Sequence, residues 1–230
     1  MLNLPNNRWQ AFSIHLAISA IIFVAILSII YFIWYPGIFI QAGGWDGIKI
    51  IAAVDLVLGP ALTLIVYNKA KKSIKFDLSA IAFLQISCLI AGLVVIERER
   101  PILQLLVDDS VVLHSKSDLE FLNIDMAMVK ELPDNFPKPV YVKLANTREE
   151  SVAIIVNSLF TKGAPVQHRF ELFKPLSVAT KEQIDWRLRE LKIDHENNCT
   201  WMTISSAHFK GTACFHRQHG ITDLKTTNND

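Results

Sequence analysis

Three apolar stretches, Phe12–Tyr35, Ile48–Tyr67 and Leu78–Ile96, constrain this chain more than any other feature of its 230 residues. Crossing a hydrocarbon core takes roughly 20 consecutive apolar residues, and each stretch is about that long. The first runs 24 residues without an acidic or basic side chain other than one histidine, which a helix buried in a soluble core seldom does. It is also far longer than the apolar core of a cleavable signal, and no small-residue cleavage site follows it, so it is expected to stay as a signal anchor. Beyond residue 100 the composition becomes that of a soluble domain, and the whole-chain mean hydropathy of +0.29 averages two unlike parts. The expected fold class is a membrane protein with three N-terminal transmembrane α-helices, residues 1–100, followed by a small α+β soluble domain, residues 101–230.

Loop charges predict an orientation. Between the second and third stretches lies "NKAKKSIKFD", which contains Lys69, Lys71, Lys72 and Lys75, whereas "PGIFIQAGGWDG" between the first and second has no lysine or arginine. Lysine-rich short loops stay in the cytoplasm. The N-terminus with Arg8 is then cytoplasmic, and the third span exports everything after Ile96. Arg98 and Arg100 oppose this, but each sits beside a glutamate in "ERER".

Within the second stretch, "AAVDLVLGPALTLIVY" holds a carboxyl group at Asp55 and a helix breaker at Gly59-Pro60. An ionisable group at mid-bilayer costs about 3 kcal/mol on insertion scales, so it is expected to face a partner or a cavity. Counting depth along antiparallel spans sets Asp55 near Gln85, Ser87 and Cys88 of span three, with Thr63 two turns deeper. Span one offers His15 near its cytoplasmic end and Ser19 one turn on. Asp55 has three readings: a latch to Gln85 or Ser87, half of a contact with another membrane helix, or a proton or ion relay. Three spans with one mid-membrane acid make a poor transporter. Pro60 removes a helix hydrogen bond and is expected to kink span two, opening a notch. The candidate contact residues for a partner helix are therefore His15, Asp55, Gly59, Pro60 and Gln85.

The C-terminal part carries 15 basic and 17 acidic residues with no basic patch, which argues against nucleic acid. Alternation predicts strands at "ILQLLV" and "SVVLH" around an Asp108-Asp109 turn, and at "PVYVKLA", "HRFELF", "TWMTISS" and "GTACFH". Helical spacing predicts "SDLEFLNIDMAMVKEL" capped by Ser117, "NTREESVAIIVNSLF" with a Thr147/Glu150 capping box, and "TKEQIDWRLREL". The final "KTTNND" is expected to be a frayed tail. Cys199 and Cys214 bound a predicted two-strand segment, and in an oxidising compartment they are candidates for a disulfide. Cys214, His216 and His219 in "CFHRQHG" have metal-ligand character, but a fourth ligand is unaccounted for and a bridged Cys214 is no ligand. No P-loop, G-x-G-x-x-G, G-x-S-x-G or H-E-x-x-H pattern occurs. The expectation is a non-enzyme with no cofactor and no metal.

The segments "HLAIS", "VDLVLGPALTLIVY" and "KKSIKFDLSAIAFLQ" resemble the TfpX/TfpZ group of type IV pilin accessory proteins. The similarity runs on through "RPILQLLVDDSVVLHSKSDLE" and "TREESVAIIVNSLFTKGAPVQHRFELFKPL" and fades after about residue 178, covering about three quarters of the chain. The resemblance implies a bacterial inner-membrane protein with a periplasmic α+β domain. Its implied role is to chaperone a cognate major type IV pilin in the lipid bilayer before assembly. His15, Asp55, Gly59, Pro60, Lys72, Asp77 and Gln85 fall on family-like positions, whereas Cys199 and Cys214 do not. The chain itself lacks the Gly-Phe processing site of a prepilin near "NNRWQAFSIHL". The alternative reading is a membrane-anchored sensor, or an assembly subunit that binds another periplasmic partner.

Overall fold

The computed structural model describes residues 5–107, 109–133, 136–142, 148–161, 165–180, 184, 193–194, 199–216 and 219–226. It resolves into two compact units, Met1–Arg98 and Glu99–Asp230. The fold is three long apolar helices followed by a mixed α+β sheet domain.

In the first unit, α1 (Arg8–Ile29) is capped by Asn7, whose side chain accepts from the Gln10 N–H. It continues as a π-helical turn, Ile30–Trp34, so the first span is Arg8–Trp34, starting four residues before the apolar stretch. The second span, Gly44–Val66, is three pieces: α2 (Gly44–Ala52), a π-helical segment (Ala53–Leu58) and α3 (Gly59–Val66). Proline explains the interruption. Pro60 has no N–H to offer and its ring crowds the preceding turn, and the widened segment just upstream absorbs that mismatch. There the Gly59 N–H reaches five residues back to the Val54 carbonyl. The third span, α4 (Ile74–Glu99), is unbroken.

Packing in this unit is concentrated at its two ends. At one, Ile26, Ile30, Tyr35, Ile40, Ile48 and Ile96 form a cluster, and the Tyr35 hydroxyl donates to the Ile96 carbonyl at 3.2 Å. At the other, Ala11, Tyr67 and Ile74 pack together, and the Tyr67 hydroxyl donates to the Pro5 carbonyl at 2.6 Å. Between these ends most side chains face outward, as Ile21, Phe83 and Ile65 do, which suits a lipid surround.

The second unit is built on a sheet of order β4-β3-β1-β2-β6-β7-β8, with β5 also on β6. The strands are β1 (Pro101–Val107), β2 (Ser110–Ser115), β3 (Lys138–Val142), β4 (Phe173–Pro175), β5 (Ile193–Asp194), β6 (Cys199–Ser205), β7 (Lys210–His216) and β8 (Gly220–Thr226). β1 pairs antiparallel with β2 and parallel with β3, β2 pairs parallel with β6, and β6, β7 and β8 form an antiparallel meander. β1 is buried on both faces, which suits a run that is apolar at every position but Gln104. Helices α5 (Lys116–Phe121) and α6 (Met126–Lys130) supply Leu119 and Val129 to its core beside Ile102, Leu105 and Val140, and α7 (Arg148–Thr161) adds Ile154 and Ile155 at its margin.

Several local expectations are corrected. The cap of α5 is Ser115, not Ser117: the Ser115 hydroxyl accepts from the Asp118 N–H, and the Asp118 carboxylate accepts from the Ser115 N–H. The expected long helix breaks at Asn123, which takes the left-handed region at φ 55°, and Asp125 caps a second helix. "HRFELF" is mostly two 3-10 turns, with strand only from Phe173. The supposed tail is in part β8, whose Ile221 and Leu224 are buried. The Thr147 cap and nearly all of "TKEQIDWRLREL" lie outside the described residues. Gln104, buried in β1, donates from Nε2 to the Pro137 carbonyl and accepts the Ile221 N–H, each near 2.9 Å, tying β8 to the middle of the sheet.

Cys199 and Cys214 lie on adjacent strands with Cα atoms 5.5 Å apart, joined as a disulfide. A bridge of this span constrains the unfolded chain by about 3 kcal/mol on the loop-entropy model. In protein from the cell envelope both thiols are expected to resist alkylation until reduced, and reduction is expected to lower the melting temperature of the C-terminal domain. Free labelling without reductant would contradict this.

His114 gives a second prediction. Its Nε2 hydrogen-bonds the Gln167 carbonyl at 2.9 Å, and its ring stacks on Phe173 with His168 at its edge. Burial disfavours the imidazolium and lowers its pKa below the usual 6.5, although Asp118 and the Gln167 carbonyl pull the other way. The unfolded chain then binds a proton near pH 6.5 that the folded one refuses. Stability is therefore expected to be full above pH 6.5 and to fall as the pH drops below it, levelling off beneath the folded pKa. Thermal melts of His114→Gln are expected to lose this component.

Candidate functional site

The site grows from the polar side chains of the three spans. Asp55 lies in the π-helical segment, Gly59 and Thr63 follow it at four-residue intervals, and all three are buried. α1 brings His15 and Ser19 to the same region, again four residues apart and on one helix face. α4 contributes Gln85.

These residues form one hydrogen-bonded layer. The Gln85 amide nitrogen donates to the Asp55 backbone carbonyl at 3.3 Å and to the Ser19 hydroxyl at 3.5 Å. With its nitrogen so engaged, its oxygen is the acceptor for His15 Nε2 at 2.8 Å. His15 therefore carries a proton on Nε2. Its Nδ1 lies 2.5 Å from the Thr63 hydroxyl, which also reaches the Gly59 carbonyl at 3.2 Å. One side chain of α4 thus binds both other spans, and one side chain of α1 joins α3 to α4.

Gly59 is what lets Gln85 enter. A Cβ there would overlap the Gln85 amide outright, so no larger residue fits unless the amide moves. Pro60 is buried beside it, and its ring carries no hydrogen-bonding group. Its contribution is the widened segment upstream, which carries Asp55 inward. Asp55 is 4% exposed, and its Oδ2 has no hydrogen-bond partner among the described residues. Ser87 and Cys88 are exposed on α4 and take no part. His15, Asp55, Gly59 and Gln85 are thus brought together. Ser19 and Thr63 complete the layer, and antiparallel depth counting is the signal that points to them. Among the described residues no group of three or more His, Cys, Asp or Glu side chains is arranged to hold a metal.

The Gly59–Gln85 contact can be tested as a pair. Gly59→Ala is expected to destabilise the full-length chain in detergent by about 1–3 kcal/mol, the usual cost of overpacking. In a Gln85→Ala background the same change is expected to cost much less, because the amide it meets is gone. Additive melting-temperature shifts would show that the two residues do not share this contact.

No family model matches the chain, and no solved structure matches it. Three curated proteins of Dichelobacter nodosus do. The chain is similar to the fimbrial assembly protein of serogroup E1, 31% identical over 128 residues, which is 54% of this chain and 47% of that protein. The serogroup I protein is 30% identical with the same coverage. The chain thus spans about half the length of these two relatives. The fimbrial assembly protein of serogroups C1 and C2 is 32% identical over 109 residues, 46% of this chain and 83% of that protein. The matched stretch is shorter than the three quarters suggested by the resemblance. With most of one relative's length aligned at this identity, the chain belongs to the fimbrial assembly protein family.

Proposed function

We propose that this protein is a non-catalytic accessory of type IV pilus assembly that stabilises its cognate major pilin before the subunit leaves the membrane. In this reading the three spans sit in the bacterial inner membrane, with the N-terminus cytoplasmic and the C-terminal domain periplasmic. The observation that supports it best is membership of a fimbrial assembly family in a chain with three membrane spans. A subunit awaiting assembly must be held in lipid by its own apolar helix, and a bundle with a polar layer at mid-depth offers such a helix something to recognise. The lysine loop supports the orientation, with Lys69 and Lys71 exposed beside the end of span two.

Deleting the gene is expected to lower pilin protein several-fold with its transcript unchanged, and supplying the chain in trans is expected to restore it. Normal pilin protein would overturn the chaperone reading, and a changed pilin transcript would favour a membrane-anchored sensor. A phosphatase fused after Asp230 is expected to be active, and a fluorescent protein fused there is expected to be dark. The reverse pair would put the C-terminal domain in the cytoplasm.

A further inference from the structure

Along the middle of α4 the bundle is open. The buried residues of this helix are Ile74 and Ile96, near its two ends, and between them Gln85 makes the hydrogen bonds to the other spans. Beside Gln85 lies a cavity of about 150 Å³ with Asp55 in its lining. His15 and Ser19 of the polar layer and Gln85 itself also border it, and the rest of its wall is apolar: Ile18 and Ile22 from α1, and Ala82, Ile86 and Leu89 from α4. Ile18 and Ile86 stand at the rim, both more than half exposed.

Two facts define what would fill it. The volume suits one benzene-sized group, a side chain rather than a whole helix. The Oδ2 atom of Asp55 is buried without a hydrogen-bond partner among the described residues, in a part of the chain where water is scarce. A lipid tail would fill the volume and leave that oxygen unpaired. Oδ2 is covered in the bundle, so a hydroxyl, amide or carboxyl on a neighbouring helix would fill the cavity and pair the oxygen on a rotation of the Asp55 side chain toward the space it lines. Such groups can both donate and accept, whichever form Asp55 takes. Ala82 is small, which lets a helix approach the opening closely.

We infer that the cavity beside Asp55 receives a polar side chain from a transmembrane helix of another polypeptide lying across Ile18 and Ile86. This rests on the proposed accessory role only for the existence of a helix to be held. The loss of pilin on deletion tests that role, and the experiment below tests the cavity, so either can fail alone.

The test places a photo-activatable benzoylphenylalanine at Ile18, at Ile86 or, as a lipid-facing control, at Phe83 in the full-length chain in its native membrane. The readout is the ratio of polypeptide adduct to total chain, with the adduct peptide sequenced. We expect adducts at positions 18 and 86 but not 83, mapped to an apolar span of a different protein bearing a hydroxyl, amide or carboxyl group. The ratio is expected to persist in Asp55→Asn and to fall about three- to tenfold in Asp55→Leu, the range an intramembrane hydrogen bond confers. Ala82→Leu, which fills the cavity from the opposite wall and leaves Asp55 in place, is expected to lower it likewise. Adducts with phospholipid alone, adducts with a second copy of this chain, or a ratio unchanged by both leucine variants would each overturn the inference.

Discussion

Inside a bilayer no solvent satisfies a polar group, so each one brought there must be paired by protein, and that demand organises the membrane half of this molecule. Gln85 carries most of the burden. Its nitrogen serves α1 and the π-helical segment of span two, while its oxygen serves His15, so three helices are registered against one amide. Apolar packing has little orienting power here, because lipid is as apolar as leucine. The isoleucine- and tyrosine-based clusters close the two ends of the bundle, and the polar layer sets how the helices are turned toward each other between them.

Two residues that look like faults in a membrane helix make this layer. Pro60 forfeits a hydrogen bond and Gly59 forfeits side-chain packing, yet together they produce the widened turn and the bare surface that Asp55 and Gln85 occupy. Asp55 is then held at the side of a cavity with one oxygen unpaired. The same geometry that braces the bundle leaves it with an unfilled hydrogen-bonding position at Asp55.

Much of this was legible in the sequence because membrane spans obey a length rule and polar residues within them stand out. The depth of Gln85 relative to Asp55 followed from counting residues along antiparallel spans, and so did the proximity of Ser19 and Thr63. The side of α4 on which Gln85 rather than Ser87 would face inward did not, since neighbouring helix positions two apart point in different directions. In the sheet domain the misreadings have local causes. The α5 cap could be framed from Ser115 or Ser117, because each has an acid three residues on, Asp118 and Glu120, and spacing alone does not choose between them. β8 escaped notice because a register shift between Cys214 and Phe215 spaces its buried Ile221 and Leu224 three apart instead of two. The 3-10 turns before Phe173 carry apolar residues without either regular period.

Gln104 also bears on how the domain can be made. It sits in β1, among the earliest residues to follow the last span, yet one of its two hydrogen bonds is to Ile221, 117 positions later. Gly220, at φ 74°, comes so close to this amide that a Cβ there would strike it. During synthesis the nitrogen of this amide can find the Pro137 carbonyl early, but its oxygen must wait for Ile221 until β8 has emerged. A chain stalled before β8 therefore holds a buried acceptor without its donor at the middle of the sheet.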